Sequence, residues 1–543
     1  MLNHKYGVFY TPDSLAEFVA NLLSRFFDIK ENNNSLILDP SCGMCSLLKA
    51  AENVFGESNQ YVGIDIDGEV LKNISTNFDI IHDDAILPKH LKGVSADYWL
   101  ERFHSIDAII ANPPWSSEKI YSKKDLYNAG FVLATGQYDS YVLFFELAYK
   151  ILKNDGVMAF IIPDSIFEAQ NQRLRKFLTE NTQIKVIARL GEKIFKDVNR
   201  ATTIIVCKKT LPDKNSITEC FRLTSDDRKE YLLNKVSLEK LYEEKVHYVK
   251  QTRFSKSRLY NFDIDTFEDE EALMRKISSM CINWEEEFSF ARGVEISKSG
   301  NVVYCNHCHM AQGYSKKHFV DGKKSCIYCK RELFINKNNI DNIIINKKTT
   351  NSVGLFVGEN IHRYKLQGKS YLKTNIKGIN YKAQDIYSSK KILIRKTGLG
   401  IYASIDYDKN YTSQTVYIVK SIKNNIPLEY YLALINSRVV YYYYLKKYGE
   451  IEWKSHPYLT KQIIFSLPLK SFVGNDIDKK IIELSSKLVK CYDRSLDLEL
   501  ETFIMKKYGL NKNEQKQVYS EINLLPDLSS INNMKIRDSE FYV

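Results

Sequence analysis

The sequence predicts an α/β protein: a doubly wound, mostly parallel sheet, then a mixed α+β region and a helical C-terminus. Three observations carry that expectation. Through residues 1–210 short apolar runs alternate with helical periods. Three of those runs close on Asp39, Asp65 and Asn112, at the carboxyl ends of strands, where such sheets bind ligands. From about residue 211 the alternation gives way to charged and turn-rich sequence.

The elements follow in chain order. Ser35–Asp39 reads as a buried strand and Cys45–Val54 as the helix after it. Tyr61–Asp65 is a second strand, and Ile106–Ala111 a third, stopped by Asn112-Pro113-Pro114. Leu143–Leu152 has apolar residues at helical spacing, Gly156–Ile162 is a strand ended by Pro163, and Ala201–Cys207 is the last strand. Residues 211–285 mix charge with short helical periods and read as a connecting helical segment. Residues 286–470 are richer in short strands and turns, among them Ile392–Arg395 and Ile401–Ile405 around Thr397-Gly398-Leu399-Gly400. Residues 471–543 return to helical periodicity, with Ile481, Leu484 and Leu488 on one face. The domains expected are therefore 1–210, 211–285, 286–470 and 471–543.

Composition bounds the function. A chain of 543 residues, 44% hydrophobic and 26% charged, is long enough for several cores and is not disordered. No apolar run reaches the roughly 18 residues needed to span a bilayer, and Met1–Tyr6 carries no apolar signal region, so the expected compartment is the cytoplasm. The net charge of +11 is unevenly placed: residues 1–210 hold 23 Lys+Arg against 26 Asp+Glu, leaving 54 against 40 for residues 211–543. A basic second part points to a polyanion partner, although a solvated Lys-rich surface gives the same sum.

Four short segments carry chemistry. Asp39-Pro40-Ser41-Cys42-Gly43-Met44-Cys45 is a strand-to-helix turn in which a glycine lets backbone approach a ligand. Gly63-Ile64-Asp65 places an acid where it can accept both hydroxyls of a ribose. The most specific is Asn112-Pro113-Pro114-Trp115. An exocyclic amine on a nucleobase is a poor nucleophile because its lone pair is delocalised into the ring. The Asn112 side-chain oxygen and the Pro113 carbonyl can each accept one of its N–H groups and aim the lone pair, two prolines hold the oxygens convergent, and Trp115 can stack on a base taken out of its duplex. The fourth is Cys305-x2-Cys308 and Cys326-x2-Cys329, with 17 residues between the pairs. Four thiolates at this spacing bind a structural zinc ion in a closed tetrahedral site, with His307 and His309 left on the surface.

In the order of these motifs the sequence resembles the gamma, or TaqI-like, class of S-adenosylmethionine-dependent N6-adenine DNA methyltransferases. Gly7–Pro12 resembles that family's N-terminal cofactor element, Asp39–Leu48 its glycine loop, Asp65-Ile66-Asp67 its ribose motif, Asp83-Asp84-Ala85 its adenine-contacting motif and Asn112–Trp115 its catalytic motif. Tyr138–Tyr141 with Phe144-Phe145-Glu146 resembles the helix that follows, and Gly191–Phe195 the segment whose aromatic packs on the extruded adenine. The resemblance covers residues 1–210 and continues thinly through Arg292-Gly293-Val294, Ile435-Asn436-Ser437 and Lys507–Leu510. It implies a class I methyltransferase fold, Rossmann-like, in 1–210. Tyr10 and Thr11 would face the cofactor, with Thr11 at the methionine carboxylate. Asp39, Pro40 and Gly43 would line the methionine end, Asp65 the ribose, Ile66 the face of the adenine and Asp84 its amine. Asn112, Pro113, Pro114, Trp115 and Phe195 would form the catalytic pocket.

Two residues depart from the pattern. The family usually has a second glycine where this chain has Cys45, whose side chain narrows the turn, and Tyr or Phe where it has Trp115. Residues 286–470 would be the DNA target-recognition domain, zinc included. The implied activity is methylation of adenine N6 in double-stranded DNA, in a restriction-modification or defence setting with a restriction enzyme or other subunits as partners. Methylation of N4-cytosine or of an RNA adenine, and a non-catalytic specificity subunit, remain as alternatives. Glu295 with Lys298 lacks the acid pairing of a metal-dependent nuclease, so no fused nuclease is expected.

Overall fold

The computed structural model describes residues 11–27, 34–72, 74–115, 121–136, 138–195, 200–257, 259–296, 299–314, 323–335, 338–423, 426–448, 458–525, 531–537 and 540. Tyr10 lies outside them. The chain divides into two compact units, Met1–Glu270 with Lys446–Ser455, and Glu271–Leu445 with His456–Val543.

The first unit is built on one nine-stranded sheet: β1 (Leu36–Asp39), β2 (Gln60–Asp65), β3 (Asp79–His82), β4 (Ile106–Ala111), β5 (Leu152–Pro163), β6 (Gln183–Gly191), β7 (Thr202–Lys208), β8 (Ile217–Arg222) and β9 (His247–Lys250). Their order is β3-β2-β1-β4-β5-β7-β6-β8-β9. Only β7 and β9 run against the rest, so the sheet is mostly parallel, as the strand–helix alternation predicts. Both faces are buried. Ile37, Ala108, Ile110, Ala159 and Ile161 pack under α1 (Asp13–Ser24) and α2 (Ser46–Phe55). Leu38, Ile109, Met158, Phe160 and Ile162 pack under the Ser95–Phe103 and Tyr141–Ile151 helices. Burial on both faces is why these strands read as unbroken apolar runs.

The sheet does not end at residue 210. β8 and β9 add two strands, so 211–270 belongs to the first unit and is not a purely helical connection. Exposed Ile217 and Tyr248 and the partly exposed Glu219 and Arg222 give these strands a mixed, polar look.

In the second unit, Phe288–Arg292, Val416–Ser421, Lys391–Arg395 and Ala403–Asp406 form one antiparallel sheet, in which the Val416–Ser421 strand lies between the first and third. A second sheet joins Ile344–Ile345, Ser370–Lys373, Ser352–Phe356 and Tyr411–Thr412. Helices Asp476–Lys490, Arg494–Lys507 and Lys512–Asn523 follow, with Ile481, Leu484 and Leu488 buried on one face as their spacing predicts. Tyr441, Tyr442 and Tyr444 are buried in the Arg438–Tyr448 helix. A fully buried charge cluster joins sheet and helices: Arg363 is 2.5 Å from Asp497, and Arg438 is 3.1 Å from Asp497 and 3.0 Å from Glu501.

Candidate active site

The polar residues expected at the strand ends come together at the carboxyl edge of β1, β2 and β4. Asp39 closes β1, is buried, and accepts the Ser41 amide at 2.9 Å. Gly43 has φ +49°, with nothing within 4 Å of where a Cβ would stand, so the loop is open on that side. Its amide donates to Asp65 Oδ2 at 2.8 Å, while Asp65 Oδ1 accepts the Asp67 amide at 2.9 Å. The end of β2 thereby fixes the glycine loop. Contact between the two is close, since a Cβ on Gly63 would lie 2.8 Å from Cys42 Sγ.

Cys45 stands where a glycine is usual and pays the expected strain, with φ +63° at the N-cap of α2. Its thiol does not narrow the ligand side of the turn, because it is fully buried in the apolar layer with Leu47 and Leu48. A hydrogen bond from the Cys42 thiol holds it below the ordinary thiol range.

Asp84 Oδ1 accepts the amides of Ile86 (2.8 Å) and Leu87 (3.2 Å), and the Tyr121 hydroxyl reaches both carboxylate oxygens, at 3.1 and 3.0 Å. Burial lifts Asp39 well above the ordinary aspartate value, and lifts Asp65 and Asp84 as well. Asp39 and Asp65 also repel one another. Partly desolvated acids crowded at one sheet edge suit a ligand that carries positive charge and hydroxyl or amine donors. Ile66, 44% exposed beside them, offers an uncovered apolar face.

Asn112 follows β4 directly. Its Nδ2 donates to Thr11 Oγ1 at 3.1 Å, which turns Oδ1 to the other side of the amide. Pro114 and Trp115 are anchored through their carbonyls: Ser140 Oγ donates to Pro114 O, and Arg200 Nη1 donates to Trp115 O at 2.5 Å. Arg200 also lies 3.6 Å from buried Asp139, which accepts the Ser165 hydroxyl at 2.6 Å. Trp115 and Phe195 meet edge to face, 5.1 Å between centroids and 82° between planes. The structure thus brings together Thr11, Asn112, Pro113, Pro114, Trp115 and Phe195. Tyr121 and Arg200 gave no sign of their roles in the sequence, and Ser140 showed only as part of the Tyr138–Tyr141 segment, since each acts on a residue at least 26 positions away.

The cysteine pairs converge in the second unit. Sγ of Cys305, Cys308, Cys326 and Cys329 lie within 4.8 Å of one another, with 3.7 Å between Cys305 and Cys329 and between Cys308 and Cys326. Four sulfurs at about 2.3 Å from a tetrahedral zinc would be about 3.8 Å apart. Each pair makes the same turn: the Cys305 amide donates to Met310 O and the Cys326 amide to Arg331 O, and His309 and Lys330 both take positive φ. His307 and His309 do not join the cluster.

Residues 2–298, more than half of the chain, match the family described as N-6 DNA Methylase, and residues 353–469 match the TaqI-like C-terminal specificity domain. The chain belongs to the N-6 DNA methylase family. Type II methyltransferase M.VspI of Vibrio sp. (strain 343) is 33% identical over 233 residues, 40% of this chain and 51% of that protein. The methylase subunit of the type I restriction enzyme MpnII from Mycoplasma pneumoniae is 25% identical over 293 residues, 48% of this chain and 52% of its own. The chain thus covers about half the length of these curated relatives. Among solved structures, the ATP-dependent Type ISP restriction-modification enzyme LlaBIII bound to DNA superposes with a TM-score of 0.53 at 11% identity, over 90% of this chain and 39% of that one, a likeness of fold. The four cysteines fall between the two family matches, in a segment that neither covers.

Proposed function

We propose that this N-6 DNA methylase is a site-specific DNA methyltransferase that transfers a methyl group from S-adenosylmethionine to N6 of adenine in duplex DNA. The observation that carries the reading is the catalytic loop: Asn112 held by Thr11 at the end of β4, with Trp115 and Phe195 packed beside it. The cofactor supplies an electrophilic methyl group when bound. Asp65 would accept the ribose hydroxyls and Asp84 the adenine amine, with Ile66 against the ring and Thr11, Asp39, Pro40 and Gly43 at the methionine end. The acids there suit a ligand bearing an ammonium and a sulfonium.

The chain's own residues then do the positioning. Asn112 Oδ1 and the Pro113 carbonyl accept the two N–H groups of the target amine, drawing it toward tetrahedral geometry and exposing its lone pair. Trp115 and Phe195 hold the face of the extruded base. No strong base is required, because the amine loses its extra proton only after it has been alkylated. Asparagine at position 112 favours adenine over N4-cytosine, for which serine is usual at this place.

The second unit would grip and read the duplex, its basic charge supplying salt-dependent phosphate contacts. Zinc on Cys305, Cys308, Cys326 and Cys329 would be structural, since four thiolates leave no open position. A restriction enzyme is the natural partner for such an activity. Among the described residues no helix is long and apolar enough to cross a membrane, and we place the protein in the cytoplasm. Sequencing that detects modified bases in DNA from cells expressing the chain tests the reading. N6-methyladenine at one recurrent motif is expected, and unmodified DNA from cells with abundant folded protein would reject it.

A further inference from the structure

One end of the four-stranded sheet in the second unit gathers cations. Arg292 pairs with Tyr417 and Arg395 with Val416, so Phe288–Arg292 and Lys391–Arg395 end together on either side of the Val416–Ser421 strand. Lys396 follows at once. Its amide donates to Thr415 O and its carbonyl accepts the Leu459 amide, so the backbone is fixed where the side chain leaves it. Lys461 lies over the rings of Phe290 and Phe465, at 5.8 and 4.7 Å, and Lys396 over Tyr458 at 5.8 Å. Arg395 folds back, its Nε donating to Thr397 O at 2.6 Å, across a turn where Gly398 takes φ +106°. A Cβ on Gly398 would touch that guanidinium at 3.0 Å.

Among the described residues, no carboxylate lies within 4 Å of Arg395, Lys396 or Lys461. Arg292, 48% exposed, has only Glu295 at 4.0 Å, and Glu295 is held by Lys382 at 2.7 Å. The like charges are felt: Lys396 is lowered by burial and then by Arg292, and His362 by burial and then by Arg395 and Lys365. Arg292 and Lys396 repel one another, and Lys461 lies over Phe290, two residues before Arg292 on the same face of its strand; cations so gathered are stabilised by an anion placed among them.

We propose that Arg292, Lys396 and Lys461 form a phosphate clamp that holds the backbone of the substrate DNA. The assignment rests on the methyltransferase reading and names the residues through which the second unit would grip its duplex. Fixed backbone and preset side chains suit contacts that set register without reading sequence, leaving base recognition to other residues of this unit.

The test is duplex affinity as a function of salt, with a short mixed-sequence DNA duplex and the full chain. Each phosphate contact contributes about 0.9 to the slope of log K against log salt. The Lys396→Gln, Lys461→Gln double variant should flatten that slope by about 2 and weaken binding several-fold at about 0.15 M salt. Arg292→Gln alone, at an exposed site that does not threaten folding, should flatten it by about 1. Lys396→Arg with Lys461→Arg should keep the wild-type slope. Unaltered cofactor affinity in the double variant shows that the first unit is intact. A wild type that methylates duplex DNA, beside Gln variants that keep the full slope, overturns the clamp alone. A wild type that ignores the duplex, or prefers single-stranded RNA of the same sequence, overturns the clamp and the methyltransferase reading together.

Discussion

Replacing Thr11 with Val separates two roles for one hydroxyl. In the structure Thr11 Oγ1 accepts Asn112 Nδ2 at 3.1 Å, across 101 residues of sequence, and so decides which end of the amide faces the target amine. Valine keeps the shape and removes the acceptor. A single neutral hydrogen bond of this kind contributes about 1 kcal/mol, and 1.36 kcal/mol is a factor of ten in rate, so the methyl-transfer rate should fall about fivefold. Asn112→Ala, which deletes a preorganised acceptor of the reacting group, should cost about 10²–10³-fold. The assay is single-turnover methylation of duplex DNA at saturating cofactor, with cofactor affinity measured separately by calorimetry. If Thr11 orients Asn112, the rate drops at saturation and Thr11→Ser restores it. If Thr11 instead meets the methionine carboxylate, as the family resemblance implies, affinity drops and the saturated rate stands. A Val variant with a wild-type saturated rate refutes the orienting role.

Two further outcomes follow from the same site and a third from the cysteine cluster. Asp65→Ala should weaken cofactor binding by tens-fold or more, since charge-assisted bonds to two ribose hydroxyls contribute roughly 1.5–3 kcal/mol each; a titration with unchanged affinity would place the ribose elsewhere. Asp39, Asp65 and Asp84 are all raised above the ordinary aspartate value of 3.8, so they take up protons at higher pH than a free carboxyl. Cofactor affinity should therefore begin to fall on acidification before pH reaches that value, and a profile flat down to 3.8 would contradict the burial argument. The small core beside the knuckles holds Val303, Cys305, Cys326 and Leu333, two of them proposed zinc ligands, so Cys326→Ser with Cys329→Ser should release about one zinc per chain. Site-specific methylation should drop while cofactor binding holds, and elemental analysis finding no zinc in the native protein would end the idea.

How far the sequence was legible depended on the range of each interaction. β1, β2 and β4 showed because both of their faces are buried and each run stops at a polar residue. β6 did not, because Lys185 and Arg189 interrupt its apolar residues; Arg189 is buried and neutralised by Asp164, 25 residues back. β8 and β9 carry charge on their open sides and read as connection. The convergence of the cysteine pairs was legible because their two-residue spacing is local. The bonds that hold the Asn112–Trp115 loop, Asn112 to Thr11, Ser140 to Pro114 and Arg200 to Trp115, join distant segments and leave no periodic trace. Cys45 takes the positive φ expected of a glycine while its side chain is buried, which no count of glycines could show.

The buried cluster of Arg363, Arg438, Asp497 and Glu501 sets a limit on where this protein can be cut. The match to the specificity domain stops at residue 469, yet Asp497 and Glu501, the carboxylates facing both arginines, come from the helix beyond it. A graft or truncation made at that boundary would strand two guanidiniums in a dry interior, and breaking a buried pair in this way costs about 3–5 kcal/mol. Exchange of target specificity between related chains, by recombination or by an engineer, therefore has to carry the C-terminal helices along with the sheets. The unit of inheritance is larger than the recognisable domain.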